Sequence, residues 1–246
     1  MNWNSIMGFI AVLALFLPVF FIVLLKLSRY RIFAALLFYY AGVLIYNILT
    51  QGYIIADGDI IRSWGIGNNL ADAPLILFSL TYFSGSGLMT RRLKGIILAV
   101  LVFELTVVLI KGFNVPSITI IMAPNLLLIL GFCVYFFFRQ VRITIMKSKG
   151  MGKSLMIASL LFAYGCYSII YLMYYIFKTP HVADTFLVYF LVTTFSSFLM
   201  SAGIVIESKR IRKLEEVKIA RKELLAIYQD FQPAGSNKNS LFVNQE

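Results

Sequence analysis

Glu104 lies near the middle of an apolar run, 95–110, and is the only charge at the centre of any membrane-length stretch of this chain. An ionisable group in hydrocarbon costs roughly 2.5 kcal/mol or more even on the mildest insertion scale, unless it faces protein or water. The chemistry open to such a residue is ligand contact, proton exchange or acid–base work. Other polar residues also interrupt apolar runs: Tyr46 and Asn47, Asn125, and Tyr189 with Thr193 and Thr194. Tyr164, Tyr167, Tyr171 and Tyr174 recur at spacings of 3, 4 and 3, on one face of a helix.

Several chemistries are discounted. An enzyme would need an acid/base pair such as Glu104 with Asp72 within hydrogen-bond reach, and the spans drawn below put those two at different depths. Zinc needs three or four ligands brought together, whereas the chain has 1 His (His181) and 2 Cys (Cys133 and Cys166) set apart in apolar runs. No metal site is expected, and no disulfide framework. Asp57 and Asp59 are too few for the roughly 6–8 oxygens calcium takes. Gly150-Met-Gly-Lys-Ser154 looks like the end of a phosphate-binding loop, but position 147 is Lys and no strand precedes it. It reads as a turn into a helix. No Gly-x-Ser-x-Gly elbow occurs. The expectation is a protein that is not an enzyme.

The elements that must position these residues are membrane helices. Of 246 residues, 60% are hydrophobic and 13% charged, with mean hydropathy +0.86. A soluble domain is about 45–50% apolar and about 25% charged. Seven stretches are read as spans: 5–25, 32–49, 70–83, 95–110, 118–138, 155–177 and 185–206. The short third one is extended to Leu88 through Ser84-Gly85-Ser86-Gly87. The fold class expected is therefore all-α, a polytopic bundle of seven transmembrane helices over 1–206. The first stretch has no basic region before it and is too long for a cleaved signal peptide.

Charge sets the orientation. All but Arg62, Lys111 and Lys178 of the 22 Lys and Arg follow spans 1, 3, 5 or 7. By the positive-inside rule the N-terminus is outside and the C-terminus cytoplasmic. The net charge of +11 thereby points to anionic lipid and topology, not to nucleic acid. The loop 50–69 is the longest outside. Its Asp57-Gly58 pair between β-branched runs predicts an outer hairpin, with an amphipathic coil as the alternative. Residues 207–231 read as a charged helix with Val217, Ala220, Leu224, Ile227 and Phe231 at coiled-coil spacing. This helix either lies on lipid or binds a cytoplasmic protein partner or a second copy of the chain. Residues 232–246 read as a disordered tail.

With spans 2, 4 and 6 running outward, the polar residues gather in the outer half. Glu104, Asn47, Asn125, Tyr164, Tyr167, Tyr171 and Thr193 are expected to line a pocket open to the outside, with Asp184 at the mouth of span 7. Blander roles compete for some of them. Tyr174, Tyr175 and Tyr189 suit an aromatic belt; Thr193, Ser197 and Ser201 suit interhelical glue. Asn69 and Asp72 before Pro74 suit a helix start.

Seven helices, an outside N-terminus, an outer hairpin between helices 2 and 3, and Asp72-Ala-Pro74-Leu75 at the start of helix 3 together resemble the microbial-rhodopsin architecture. That resemblance covers roughly 5–206. It implies a retinal-carrying lysine in helix 7, and 185–206 contains none, so no retinal cofactor is expected. The chain also resembles the seven-helix sensor modules that precede signalling domains in bacteria. Vertebrate-receptor signatures in helices 3 and 7 are absent. The expected function is a sensor in a bacterial cytoplasmic membrane that binds an apolar or amphipathic ligand and signals through 207–231. A proton-linked transporter using Glu104 and a scaffold subunit of a larger complex are the alternatives.

The charge pattern makes a direct prediction. In a background with Cys133 and Cys166 replaced by Ala, a membrane-impermeant thiol reagent outside intact cells should label a cysteine at Asn114 and not one at Lys209. The reverse pattern would invert the topology.

Overall fold

A computed structural model describes residues 3–147, 150–173 and 182–230. The chain divides into two units, Met1–Ser208 and Lys209–Glu246. Seven α-helices form most of the described residues: α1 (Trp3–Leu24), α2 (Arg31–Thr50), α3 (Gly58–Leu80), α4 (Gly87–Lys111), α5 (Val115–Lys147), α6 (Met151–Tyr171) and α7 (Val182–Asp230). No strand occurs among them. Six, all but α3, are long and apolar enough to cross a membrane. Helices satisfy their own backbone where no water can, and six such helices make this an integral membrane protein. The first turns of α3 carry Asp59 and Arg62, which lowers its apolar character, yet it packs against α2, α4 and α5.

The region drawn as an outer hairpin differs. Gly58 begins α3, and Asp57 sits at its N-cap with φ −61°. A type I′ turn needs positive φ at both central residues. The reversal falls earlier, at Gly52 (φ +74°), just past the end of α2. An isolated two-stranded hairpin is marginal, while a helix here can lean on α2. There the Trp64 indole donates to the Gly42 carbonyl at 3.2 Å. Asp72 and Pro74 consequently lie well inside α3, and Asp72 caps nothing. Nor does α3 continue to Leu88. It ends at Leu80, a 3₁₀ turn covers Thr81–Phe83, Gly85 takes φ +62°, and Ser86 caps α4 by accepting from the Met89 amide.

Other ends follow their residues. Gly112 (φ +84°) closes α4, and Asn114 starts α5 by accepting from the Ser117 amide at 3.0 Å. Gly150 (φ +92°) precedes α6, so Gly150–Ser154 is the turn into a helix.

Small residues set the approach of α6 to α7. A methyl group on Gly152 would stand 2.6 Å from the Glu207 backbone nitrogen, and one on Gly203 would stand 2.9 Å from that of Met156. Between these points and the far end of the pair, the Ser159 hydroxyl donates to the Ser196 carbonyl at 2.7 Å. Close backbone approach through small residues is how membrane helices gain dispersion energy that lipid cannot match. Gly152→Leu should therefore force α6 and α7 apart and cost about 1–3 kcal/mol. Thermal unfolding in detergent should show a lower midpoint, whereas Gly95→Leu, at a site with open space around it, should leave the midpoint in place.

Candidate functional site

Two polar centres are built inside the bundle, and they divide the residues that the sequence grouped into one pocket. The larger joins α2, α3, α6 and α7. At its centre the Tyr164 hydroxyl, on α6, donates to Asp72 Oδ1 on α3. Tyr39 of α2 stands beside Tyr164, within electrostatic reach of Asp72. One step along α6, Tyr167 and Thr193 of α7 share a hydroxyl bond at 3.0 Å. Asn47 of α2 donates to Tyr189 of α7 at 3.4 Å and to its own Val43 carbonyl at 2.9 Å. The Tyr167 and Tyr189 rings stack with centroids 5.7 Å apart, and Tyr164 meets Tyr167 edge-on at 5.9 Å.

Burial is uneven across this centre. Tyr39, Tyr40, Tyr164, Asn47 and Thr193 are buried, whereas Asp72, Tyr46, Tyr167 and Tyr189 are half-buried. Asp72 Oδ2 has no hydrogen-bond partner among the described residues. The arrangement is a carboxyl group with one committed and one open oxygen, ringed by aromatic hydroxyls.

The second centre is smaller. Asn125 on α5 donates to Glu104 Oε1 on α4 at 2.7 Å, and both are buried. Asp72 and Glu104 lie within electrostatic reach of each other but share no hydrogen bond. The Tyr171 hydroxyl donates to the Thr119 carbonyl at 2.9 Å and ties α6 to α5. Tyr174, Tyr175, His181, the tail 232–246 and the side chain of Asp184 lie outside the described residues.

Asp72 is the residue the sequence placed wrongly. Drawing the third span from residue 70 put it at a helix start. Its true signal was helical spacing into the hydrophobic residues that follow it, Ile76 and Leu80, both buried. A third cluster at the basic end of the first unit was also missed. Glu207 is 0% exposed and accepts from the Tyr82 hydroxyl. Lys153 stands 3.9 Å over the Tyr82 ring and donates to its carbonyl at 3.3 Å. Arg139 donates to the Ser84 carbonyl. These residues read as loop and tail charges in the sequence, because nothing local shows that Glu207 faces inward.

Comparison with models of known protein families, with curated proteins and with solved structures finds no match to this chain. The site therefore rests on its own geometry.

The Asp72–Tyr164 bond has a measurable weight. Removing one partner of a buried hydrogen bond to a charged group costs about 1.5–3 kcal/mol. Tyr164→Phe and Asp72→Asn should each destabilise the protein by about that amount, and the double variant by clearly less than their sum. Additive losses in detergent unfolding would show that the two side chains are not coupled.

Proposed function

We propose that this protein is a seven-span, receptor-like sensor of a bacterial cytoplasmic membrane. In this reading the N-terminus is outside, α3 also crosses the membrane, as the third of seven spans, and the basic end of the bundle is cytoplasmic. An apolar or amphipathic ligand binds in the outer half. The change passes along α7 to a cytoplasmic partner or to a second copy of the chain.

The Asp72 network carries the reading. It links four helices through side chains that are half-buried on one side and fully buried on the other. A ligand that re-pairs Tyr167, Tyr189 or the open oxygen of Asp72 changes what holds α7. That helix runs from Val182 to Asp230. Beyond Ser208 its apolar residues Val217 and Leu224 are 65% and 54% exposed, which suits a partner surface. An ionisable residue inside a membrane bundle, such as Asp72, marks a functional site by default.

A thermal-shift screen of apolar and amphipathic small molecules on the detergent-purified protein tests the reading. Binding to the folded state raises the unfolding midpoint with the logarithm of ligand excess over Kd. A stabilising compound should lose its effect in Tyr167→Phe and should alter trypsin cleavage between Arg210 and Lys222 in the wild type. Binders that leave tail cleavage unchanged would remove the signalling step.

Two carboxyl groups inside the bundle, Asp72 and Glu104, favour one second reading, proton-linked transport of a small solute. Solute-driven acidification of proteoliposomes carrying an internal pH dye, abolished by Glu104→Gln, would put transport in place of sensing.

A further inference from the structure

A groove on the lipid side of the bundle is left unused by the Asp72 network. It lies between α3 and α4 and encloses about 590 Å³. Leu101, Leu105 and Val108 of α4, with Phe113 beyond its end, form one wall, and Ala71 of α3 lies opposite. Leu105 and Ala71 are exposed, so in a membrane the groove opens to hydrocarbon and not to water.

One carboxyl group breaks this apolar lining. Glu104 lines the groove and is only 3% exposed. Its Oε1 is taken by Asn125 at 2.7 Å, and Oε2 has no partner among the described residues. Leu70 and Pro74 also line the groove. Proline has no N–H, so the Leu70 carbonyl four residues back loses its regular helical donor. Membrane helices tolerate such a proline where something else satisfies the freed carbonyl. The groove thus presents a carboxyl oxygen between hydrocarbon walls, beside the turn of α3 that Pro74 deprives of one helical hydrogen bond. An unpaired acceptor in that setting costs several kcal/mol.

The geometry points to a binding site for a lipid-soluble amphiphile that carries a primary ammonium head on an apolar tail. An ammonium has three donors. One of them pairs with the open Glu104 oxygen by a charge-assisted bond. A hydroxyl head offers that oxygen only a neutral donor. A carboxylate head finds no basic residue in the lining. The tail lies along Leu101, Leu105 and Val108, and Phe113 closes one end. This site does not depend on the sensor reading, since a scaffold or a transporter would hold the same ligand in the same way.

Fluorescence quenching in vesicles tests it. The full chain is reconstituted in phosphatidylcholine with Trp3 and Trp64 changed to Phe and Phe113 changed to Trp, which leaves one indole in the groove. The probes are a primary amine with a brominated alkyl chain and the methyl ester of a brominated fatty acid of equal length. The amine should quench saturably, and the ester only in proportion to its amount in the bilayer. Glu104→Gln keeps the Asn125 bond but loses the charge, and should weaken the amine by about tenfold, the loss of one charge-assisted contact. Ala71→Leu, at an exposed position where added bulk does not disturb the core, should fill the groove and abolish saturation. Equal quenching by amine and ester, or an unchanged amine curve in either folded variant, overturns the assignment. Loss of saturation here with intact ligand-dependent tail cleavage would leave the sensor reading standing.

Discussion

One constraint shapes the inside of this bundle: a polar group in hydrocarbon is costly unless it finds a partner within the protein. Asp72 meets it through Tyr164, and that single bond has consequences beyond itself. Tyr164 must sit on the face of α6 turned to α3, so Tyr167 comes round to α7 and Tyr171 to α5. Tyr39 then completes the shell from α2. Four helices are placed relative to one another by hydroxyl geometry, where apolar packing alone would allow many rotations. Leucine against leucine is hardly better than leucine against lipid, so directional bonds carry much of the specificity.

The basic end obeys the same constraint with different residues. Glu207 is wholly buried where α6 and α7 come closest, and Gly152 is what lets it get there. A side chain larger than hydrogen at 152 would occupy the space of the Glu207 backbone. The carboxylate is held by Tyr82 from the 3₁₀ turn after α3, and Lys153 covers the same ring. The α3 segment is therefore tied to α6 at mid-depth through Asp72 and near its basic end through Tyr82. Because α3 alone of the seven helices has no stretch long and apolar enough to cross a membrane by itself, these polar ties compensate for weaker lipid affinity.

Helix α3 also divides the polar residues into two neighbourhoods. Asp72 turns into the bundle toward the tyrosines, while Ala71 and Pro74 border the groove that Glu104 lines. One helix thus presents a hydroxyl-rich face inward and a proline-broken face outward. Pro74 weakens the helical ladder at the depth where Glu104 has an open oxygen. The coincidence of these two features in one groove is the physical reason to treat Glu104 as a lipid-phase site and Asp72 as the centre of the interior one.

The sequence by itself determined the class of object and most of its elements. Hydropathy and helix-ending residues such as Gly112, Asn114 and Gly150 act over a few residues, so their outcomes are readable from the chain. The special character of Glu104 and the one-sided tyrosine series were equally legible, because the period of a helix is local. Only the tertiary structure decided which partner each polar residue takes. Asp72 was misread because Pro74 and Asn69 imitate a helix start, and whether a helix begins there or runs through depends on packing against α2. Asn125 and Glu104 were grouped with the tyrosines because depth was all the sequence could order. Rotation about each helix axis, which separates the groove from the interior, is settled by contacts between helices far apart in the chain. Glu207 shows the same limit: its burial comes from a glycine 55 residues away in the chain, and no local pattern carries that information.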